Sequence, residues 1–254
     1  MRLIRFLFLS IFIFSFVPAP VYAQTPTPPA AVRLVLASMT PEEKVGQLFL
    51  VSFNGTDTSE ESQIADLIKR YHVGGVVLTA SNNNFTNTNT LIHTHELINN
   101  LQQLEWNSSL GPSAYAPLFV GIAQEGDGYP TDQILNGVTS LPSEMAIGAT
   151  WKPTYAQQVA EVRGRELAAL GFNLYIGPSL DVLESPVASG TDLGTRVFGG
   201  DPFWVGEMGR AYVRGLHEGS DNRILVIAKH FPVLAGQTVC PKLKFLPFAN
   251  RLSN

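Results

Sequence analysis

Charged side chains follow the apolar runs of this sequence, at the points where the runs end. Glu125 comes after the third run, Asp181 after the fourth, and Lys229 and His230 after the fifth. A charge directly behind an apolar run is costly to bury unless it has a partner or faces a wet pocket. Carboxylate, ammonium and imidazole groups also form directional hydrogen bonds that distinguish one hydroxyl from another. The pattern therefore favours a site for a polyhydroxylated or anionic substrate.

Arg196 is a further candidate, and it lies between the fourth and fifth apolar runs. Its guanidinium group could bind substrate, or it could pair with Asp192 or Asp201 in the same segment. Asp181 has a similar alternative, because an aspartate behind a strand often accepts hydrogen bonds from the backbone N–H groups of its own loop. The sequence leaves both alternatives open.

The apolar runs alternate with segments of helical periodicity, which indicates an α/β protein with a parallel sheet covered on both faces. No G-x-G-x-x-G motif follows the first run, so a dinucleotide-binding fold has no positive support. We predict a (β/α)8 TIM-type barrel that is incomplete, with about five of the eight βα units. In such barrels, polar residues just beyond the strands form the active site. The predicted strand segments are residues 48–53, 73–80 (a turn and then a strand), 117–124, 172–182 (a strand and its exit loop) and 224–232, and the main predicted helices are residues 59–71, 91–106, 155–170 and 203–216.

Helix boundaries are marked at two places in the sequence. Thr40 is a good N-cap, Pro41 suits the first helical position, and Glu43 completes a capping box. Gly171 stands where a helix that ends at residue 170 needs its C-cap. The sequence therefore predicts a short helix after Thr40 and a long helix that stops before Gly171.

The composition argues against several classes of function. The chain has 254 residues and a formal net charge of −4, without a cluster of basic residues, which argues against nucleic acid as a partner. Cys240 is the single cysteine, so an internal disulfide is impossible, and no Cys/His spacing suggests a metal site. No cofactor is implied, and the oligomeric state cannot be read from the sequence.

The first residues have the pattern of a secretory signal. Two arginines precede an apolar run of about twelve residues, which is too short to span a bilayer comfortably, and small residues suit cleavage after Ala23. We predict a signal peptide over residues 1–23, a Pro/Thr-rich linker over 24–35, a folded domain over 36–232 and an atypical tail over 233–254. The protein would then be exported to the periplasm, the cell surface or the medium, with no stable membrane span after cleavage. An uncleaved anchor is the alternative.

Several segments of the chain carry a resemblance when they are taken in order. These segments are MTPEEKVGQLF, GGVVL, PLFVGIAQEGDG, LPSEMAIGAT, LAALGFNLYIGPSLDV, TRVFGGDP and IAKHFP. Together they resemble the N-terminal barrel domain of glycoside hydrolase family 3, and within it the β-N-acetylhexosaminidase branch. The resemblance covers roughly residues 36–232.

This resemblance implies an enzyme that hydrolyses terminal β-linked sugars with retention, so its partner is a carbohydrate substrate. Retention needs a nucleophile and an acid/base. In the family the nucleophile is an aspartate on a late strand, and in this branch the acid/base is a histidine in the loop after Lys-His-Phe-Pro. By motif match, sugar binding falls on Arg196, Lys229 and His230, and we add Asp181 from its place behind the fourth run. His230 is then a binding residue and not the acid/base.

The chain also departs from the family pattern. Ala123 stands where the family usually has a sugar-binding aspartate, and Asp127 and Gly128 replace the usual Gly-Arg. Both N-acetylhexosamine and glucose therefore remain possible sugars.

The last residues of the chain differ most from the family. No histidine follows His230, and the segment 232–254 contains neither Asp nor Glu, so neither expected catalytic residue is identified. We expect a truncated glycosidase chain that is inactive alone. A sugar-binding protein without catalysis is one alternative. An enzyme that uses residues present in the chain, such as Glu125 and Asp181, is another.

Overall fold

The computed structural model describes residues 28–109, 115–129, 131–183 and 194–231. The chain divides into two compact units, residues 1–37 and residues 38–254. The candidate residues named above belong to the second unit. The predicted signal peptide and the atypical tail lie outside the described residues.

Helix α1 (Ala30–Ser38) makes up most of the described part of the first unit, and none of its residues is buried. The sequence does not predict this helix, because residues 24–35 have the composition of a linker. The helix contains good helix formers such as alanine, leucine and arginine, which accounts for helical structure after the last proline. Within the described residues, no helix has the length and apolar character needed to cross a membrane.

The second unit alternates strands and helices along most of its length. Its elements are α2 (Pro41–Gly46), β1 (Leu50–Val51), α3 (Gln63–Lys69), β2 (Gly75–Val77), a 3₁₀ turn (Ala80–Asn82), α4 (Thr90–Ser108), β3 (Phe119–Ile122), α5 (Glu144–Gly148), α6 (Pro153–Leu170), β4 (Leu174–Ser179), α7 (Pro202–Gly219) and β5 (Leu225–Lys229). The strands are shorter than the apolar runs, because only the residues that pair with a neighbouring strand are strand residues. The short helix α5 is not predicted by the sequence.

Within the described residues the strands form one parallel sheet of five strands, in the order β1-β2-β3-β4-β5. Each strand pairs with the strand before it in the chain, as Val76 with Val120 and Tyr175 with Val226. A sheet in which consecutive strands are neighbours is typical of a TIM-type barrel, whereas the strand order of a doubly wound sheet reverses. The α/β prediction and the parallel sheet are confirmed.

Local hydrogen bonds set the predicted helix ends. The Thr40 hydroxyl accepts from the Glu43 N–H at 3.2 Å, and the Glu43 carboxylate accepts from the Thr40 N–H at 2.7 Å. Gly171 ends α6 in the left-handed region, with a φ of 102° that an L side chain rarely adopts. The capping box and the glycine C-cap are therefore confirmed.

Helices α6 and α7 pack closely because glycines face the contact. A Cβ atom on Gly164 would lie 2.5 Å from a backbone oxygen of α7, and one on Gly215 would lie 2.1 Å from a backbone oxygen of α6. Helix α7 packs against β4, where the rings of Tyr212 and Tyr175 are both buried with their centroids 6.3 Å apart.

The strands also carry apolar side chains that remain exposed among the described residues. Leu50, Phe119, Leu225 and Ile227 are between 39% and 52% exposed, whereas Val120, which follows Phe119, is fully buried. Successive side chains of a strand point to opposite faces. One face of the sheet is therefore covered by helices while the other shows apolar surface, as the prediction of an incomplete barrel requires.

Candidate active site

The candidate residues lie at the carboxyl edge of the sheet, where parallel strands end together. Glu125 follows β3, Asp181 follows β4, Lys229 is the last residue of β5, and His230 comes next. Arg196 lies in the segment before α7. Because the strands are neighbours and parallel, groups distant in sequence meet at this edge.

Glu125 contacts both Lys229 and Arg196. Its side chain is 2% exposed, with Oε1 3.1 Å from Lys229 Nζ and Oε2 3.5 Å from Arg196 Nη1. Oε1 has no hydrogen-bond partner among the described residues, so its contact with Lys229 is an ion pair without hydrogen-bond geometry. The buried carboxylate thus holds an ammonium and a guanidinium group together at the edge of the sheet.

The sequence suggested two nearby carboxylates, Asp192 and Asp201, as partners of Arg196. Asp201 caps helix α7, since its side chain accepts from the Trp204 N–H at 3.0 Å. Asp192 lies outside the described residues. The structure shows Glu125, which follows β3, as an ion-pair partner of Arg196, and sequence reasoning did not identify it.

His230 and Asp181 form the second contact of the site. His230 Nδ1 lies 2.5 Å from Asp181 Oδ2, and the Ser179 hydroxyl donates to the same oxygen at 2.9 Å. The Asp181 side chain is fully buried, whereas that of His230 is 42% exposed. A carboxylate on Nδ1 fixes the orientation of an imidazole ring and directs its Nε2 atom outward. Asp181 therefore contacts the imidazole and has no exposed surface of its own.

Glu144 is a buried acid that the sequence did not single out. It is the first residue of α5 and is fully buried. Its Oε1 accepts from the Ser179 N–H at 3.2 Å, and its Oε2 has no hydrogen-bond partner among the described residues. Burial and, second to it, the Glu125 carboxylate raise the pKa of Glu144 to about 8. Glu144 lies in the segment LPSEMAIGAT, which contributes to the family resemblance, but an acid in the first turn of a helix is ordinarily a surface residue, so its burial was not predicted.

A further buried ion pair supports the loop behind Glu125. Asp132 accepts from the Gly126 N–H at 2.8 Å and from the Gly128 N–H at 3.0 Å, and Arg163 Nη1 donates to it at 3.4 Å. Arg163 is 3% exposed and belongs to α6. These contacts fix the direction in which the chain leaves β3, and hence the position of Glu125. Sequence reasoning missed both Asp132 and Arg163.

The family model described as "Glycosyl hydrolase family 3 N terminal domain" matches residues 40–240. This chain belongs to glycosyl hydrolase family 3. The family that the motifs suggested is therefore confirmed, and so is the barrel type of the sheet.

Two curated relatives are similar to this family 3 chain over most of its length. A β-N-acetylglucosaminidase/β-glucosidase of Cellulomonas fimi is 32% identical over 206 residues, which are 80% of this chain and 31% of that protein. β-Hexosaminidase A of Pseudoalteromonas piscicida is 33% identical over 178 residues, 69% of this chain and 27% of that protein. The chain thus spans about a third of the length of these curated relatives.

Two solved structures share the fold of this chain. A family 3 β-N-acetylglucosaminidase from Paenibacillus sp. superposes with a TM-score of 0.65 at 34% identity, over 77% of this chain and 34% of that one. A β-N-acetylhexosaminidase from Beutenbergia cavernae superposes with a TM-score of 0.62 at 26% identity, over 77% of this chain and 54% of that one.

Proposed function

We propose that this domain binds the terminal sugar of a β-linked glycoside, as the sugar-binding part of a retaining β-glycosidase. The observation that carries the proposal is the buried Glu125 carboxylate, which holds Lys229 and Arg196 together at the carboxyl edge of the sheet. That edge is where barrels of this type bind their substrates.

The exposed fractions of the site side chains support a sugar-binding role. The side chains of His230, Arg196 and Lys229 are 42%, 26% and 17% exposed. Glu125 and Asp181 are almost or fully buried and contact these nitrogens. Nitrogen donors can therefore reach sugar hydroxyl oxygens while the carboxylates keep the donors in place. Supporting contacts of this kind give a binding site its fixed geometry.

The same contacts bear on whether Glu125 and Asp181 could be a catalytic pair. In a retaining mechanism one carboxylate attacks the anomeric carbon, and a second group protonates the leaving oxygen. An attacking oxygen must reach the sugar, whereas both of these carboxylates lie beneath the nitrogens that they contact. Their burial favours a supporting role, and we assign no catalytic residue among the described residues.

The proposed sugar is N-acetylhexosamine or glucose. Relatives with printed names that include β-N-acetylglucosaminidase, β-hexosaminidase and β-glucosidase support this range. Ala123 is half-buried beside the site and brings no polar group where a sugar-binding aspartate is usual. The loss of that contact leaves the two sugars less well discriminated.

Calorimetric titration of the 254-residue chain with N-acetylglucosamine and with glucose tests the proposal. We expect Arg196→Ala to weaken binding by about tenfold or more, which is ~1.4 kcal/mol. Arg210→Ala is the matched control, because Arg210 is 68% exposed and pairs with Glu207 within α7. Equal affinity of the wild type and the Arg196 variant for both sugars would refute the proposal.

A sugar-binding protein without catalysis is the second candidate. It is favoured by the burial of Glu125 and Asp181 beneath nitrogen groups. Release of nitrophenol from a nitrophenyl N-acetylglucosaminide is the test of this second candidate. Turnover by the purified, monodisperse chain would contradict a binding-only function and the expectation that this chain is inactive alone.

We also propose that the protein is exported. The support is the basic and then apolar pattern of residues 1–23, with small residues before the predicted cleavage point. N-terminal sequencing of protein recovered outside the cytoplasm should begin after Ala23. A mature protein that retains Met1 would contradict cleavage.

A further inference from the structure

The buried Glu144 contacts one part of the candidate site and acts electrostatically on the other. Ser179 connects Glu144 to the pair formed by Asp181 and His230. The Ser179 N–H donates to Glu144, and the Ser179 hydroxyl donates to Asp181. Glu144 also interacts electrostatically with Glu125 and Lys229, which form the other ion pair of the site.

The charge state of Glu144 matters because of how it is buried. One carboxyl oxygen accepts a single backbone hydrogen bond, and the other has no hydrogen-bond partner among the described residues. A buried carboxylate without donors is strongly disfavoured, whereas a neutral carboxyl group is tolerated much better. The raised pKa of Glu144, about 8, agrees with this geometry.

Groups from several elements act on Glu144. The Glu125 carboxylate opposes its ionisation, while the Ser179 N–H and the cations favour it. The buried tyrosine hydroxyl groups interact with it as well. These titratable and charged groups are Glu125, Lys229, Arg163, Tyr175 and Tyr212.

We infer that Glu144 is a positioning residue for the sugar-binding cations, and that its neutral form keeps Lys229 paired with Glu125. Ionisation places a second carboxylate next to Glu125, which repels it, and offers Lys229 a competing partner. The ammonium group then moves from the edge of the sheet, where a sugar hydroxyl meets it, toward the interior. This inference rests on the proposed sugar site and adds to it a built-in loss of affinity at alkaline pH.

The test is the pH dependence of N-acetylglucosamine binding to the full chain. If only the neutral form binds, the Kd of the wild type should rise about elevenfold between about pH 6.5 and pH 9, because a pKa near 8 leaves roughly one molecule in eleven neutral at pH 9. Glu144→Gln keeps an acceptor for the Ser179 N–H and cannot ionise. Its Kd should therefore lack this rise.

Glu105→Gln is the matched control. Glu105 is also a buried glutamate with a raised pKa, about 7, caused mainly by burial. It lies near the end of α4 and hydrogen bonds there with Ser108 and Ser109. Because helices and strands run in opposite directions in a β/α unit, this end is remote from the carboxyl edge of the sheet. The Glu105 variant should keep the wild-type rise in Kd.

The outcomes separate this inference from the proposed function. Absence of sugar binding by every variant at about pH 6.5 overturns the proposed function, and this inference with it. An equal rise in Kd in the wild type and the Glu144→Gln variant overturns this inference alone. Glu144→Met, which has a similar volume and no charge, should also lack the rise, and it provides the test if the glutamine variant does not fold.

Discussion

Replacing Glu144 by glutamine should make the folding stability of this domain less sensitive to pH. The pKa of Glu144 is about 8 in the folded protein, against an ordinary value of 4.5. Between these values the folded state binds a proton that the unfolded state has released. Stability must therefore fall as the pH rises through this window, by about 1.4 kcal/mol per pH unit. Glutamine binds no proton, so the variant lacks this slope.

Urea unfolding of both proteins at about pH 5.5, 6.5 and 7.5 measures the effect. Over these two units the stability of the variant relative to the wild type should increase by roughly 3 kcal/mol. Other titrating groups are shared by the two proteins and cancel in the difference. A stability difference that is the same at all three pH values would show that Glu144 is not held neutral, and would refute the reasoning from burial and the unpartnered oxygen.

Three further predictions concern a close packing contact, a helix cap and a second buried glutamate. Gly148→Ala should destabilise the protein by about 3 kcal/mol in urea unfolding, because the added Cβ would lie 1.8 Å from the Phe198 backbone oxygen; an unchanged midpoint would contradict this. Asp201→Ala removes the N-cap of α7 and should cost about 1 kcal/mol, whereas Asp201→Asn should cost much less; equal losses would argue against capping. Glu105→Gln should raise the melting temperature more at pH 8 than at pH 5, because burial raises the Glu105 pKa from 4.5 to about 7 and the wild type loses stability as the pH rises between these values; the same shift at both pH values would be inconsistent with this.

The sequence by itself determined the features of this protein that depend on neighbouring residues. The capping box at Thr40 and the C-cap at Gly171 involve residues within one turn of each other, so their residue types suffice. The alternation of apolar runs and helical segments is also a pattern of neighbouring residues, and it indicated the parallel sheet. The order of the motifs likewise indicated the family before any geometry was known.

Only the tertiary structure decided which side chains meet. Arg196 has two acids close to it in sequence, but the structure also pairs it with the distant Glu125, which parallel pairing of the strands brings to the same edge. His230 and Asp181 are 49 residues apart and are in contact for the same reason. The sequence did not indicate that Glu144 is buried, because an acid in the first turn of a helix normally faces water. Its burial follows from how α5 packs beside the end of β4, and long-range packing of that kind leaves no local pattern of residue types.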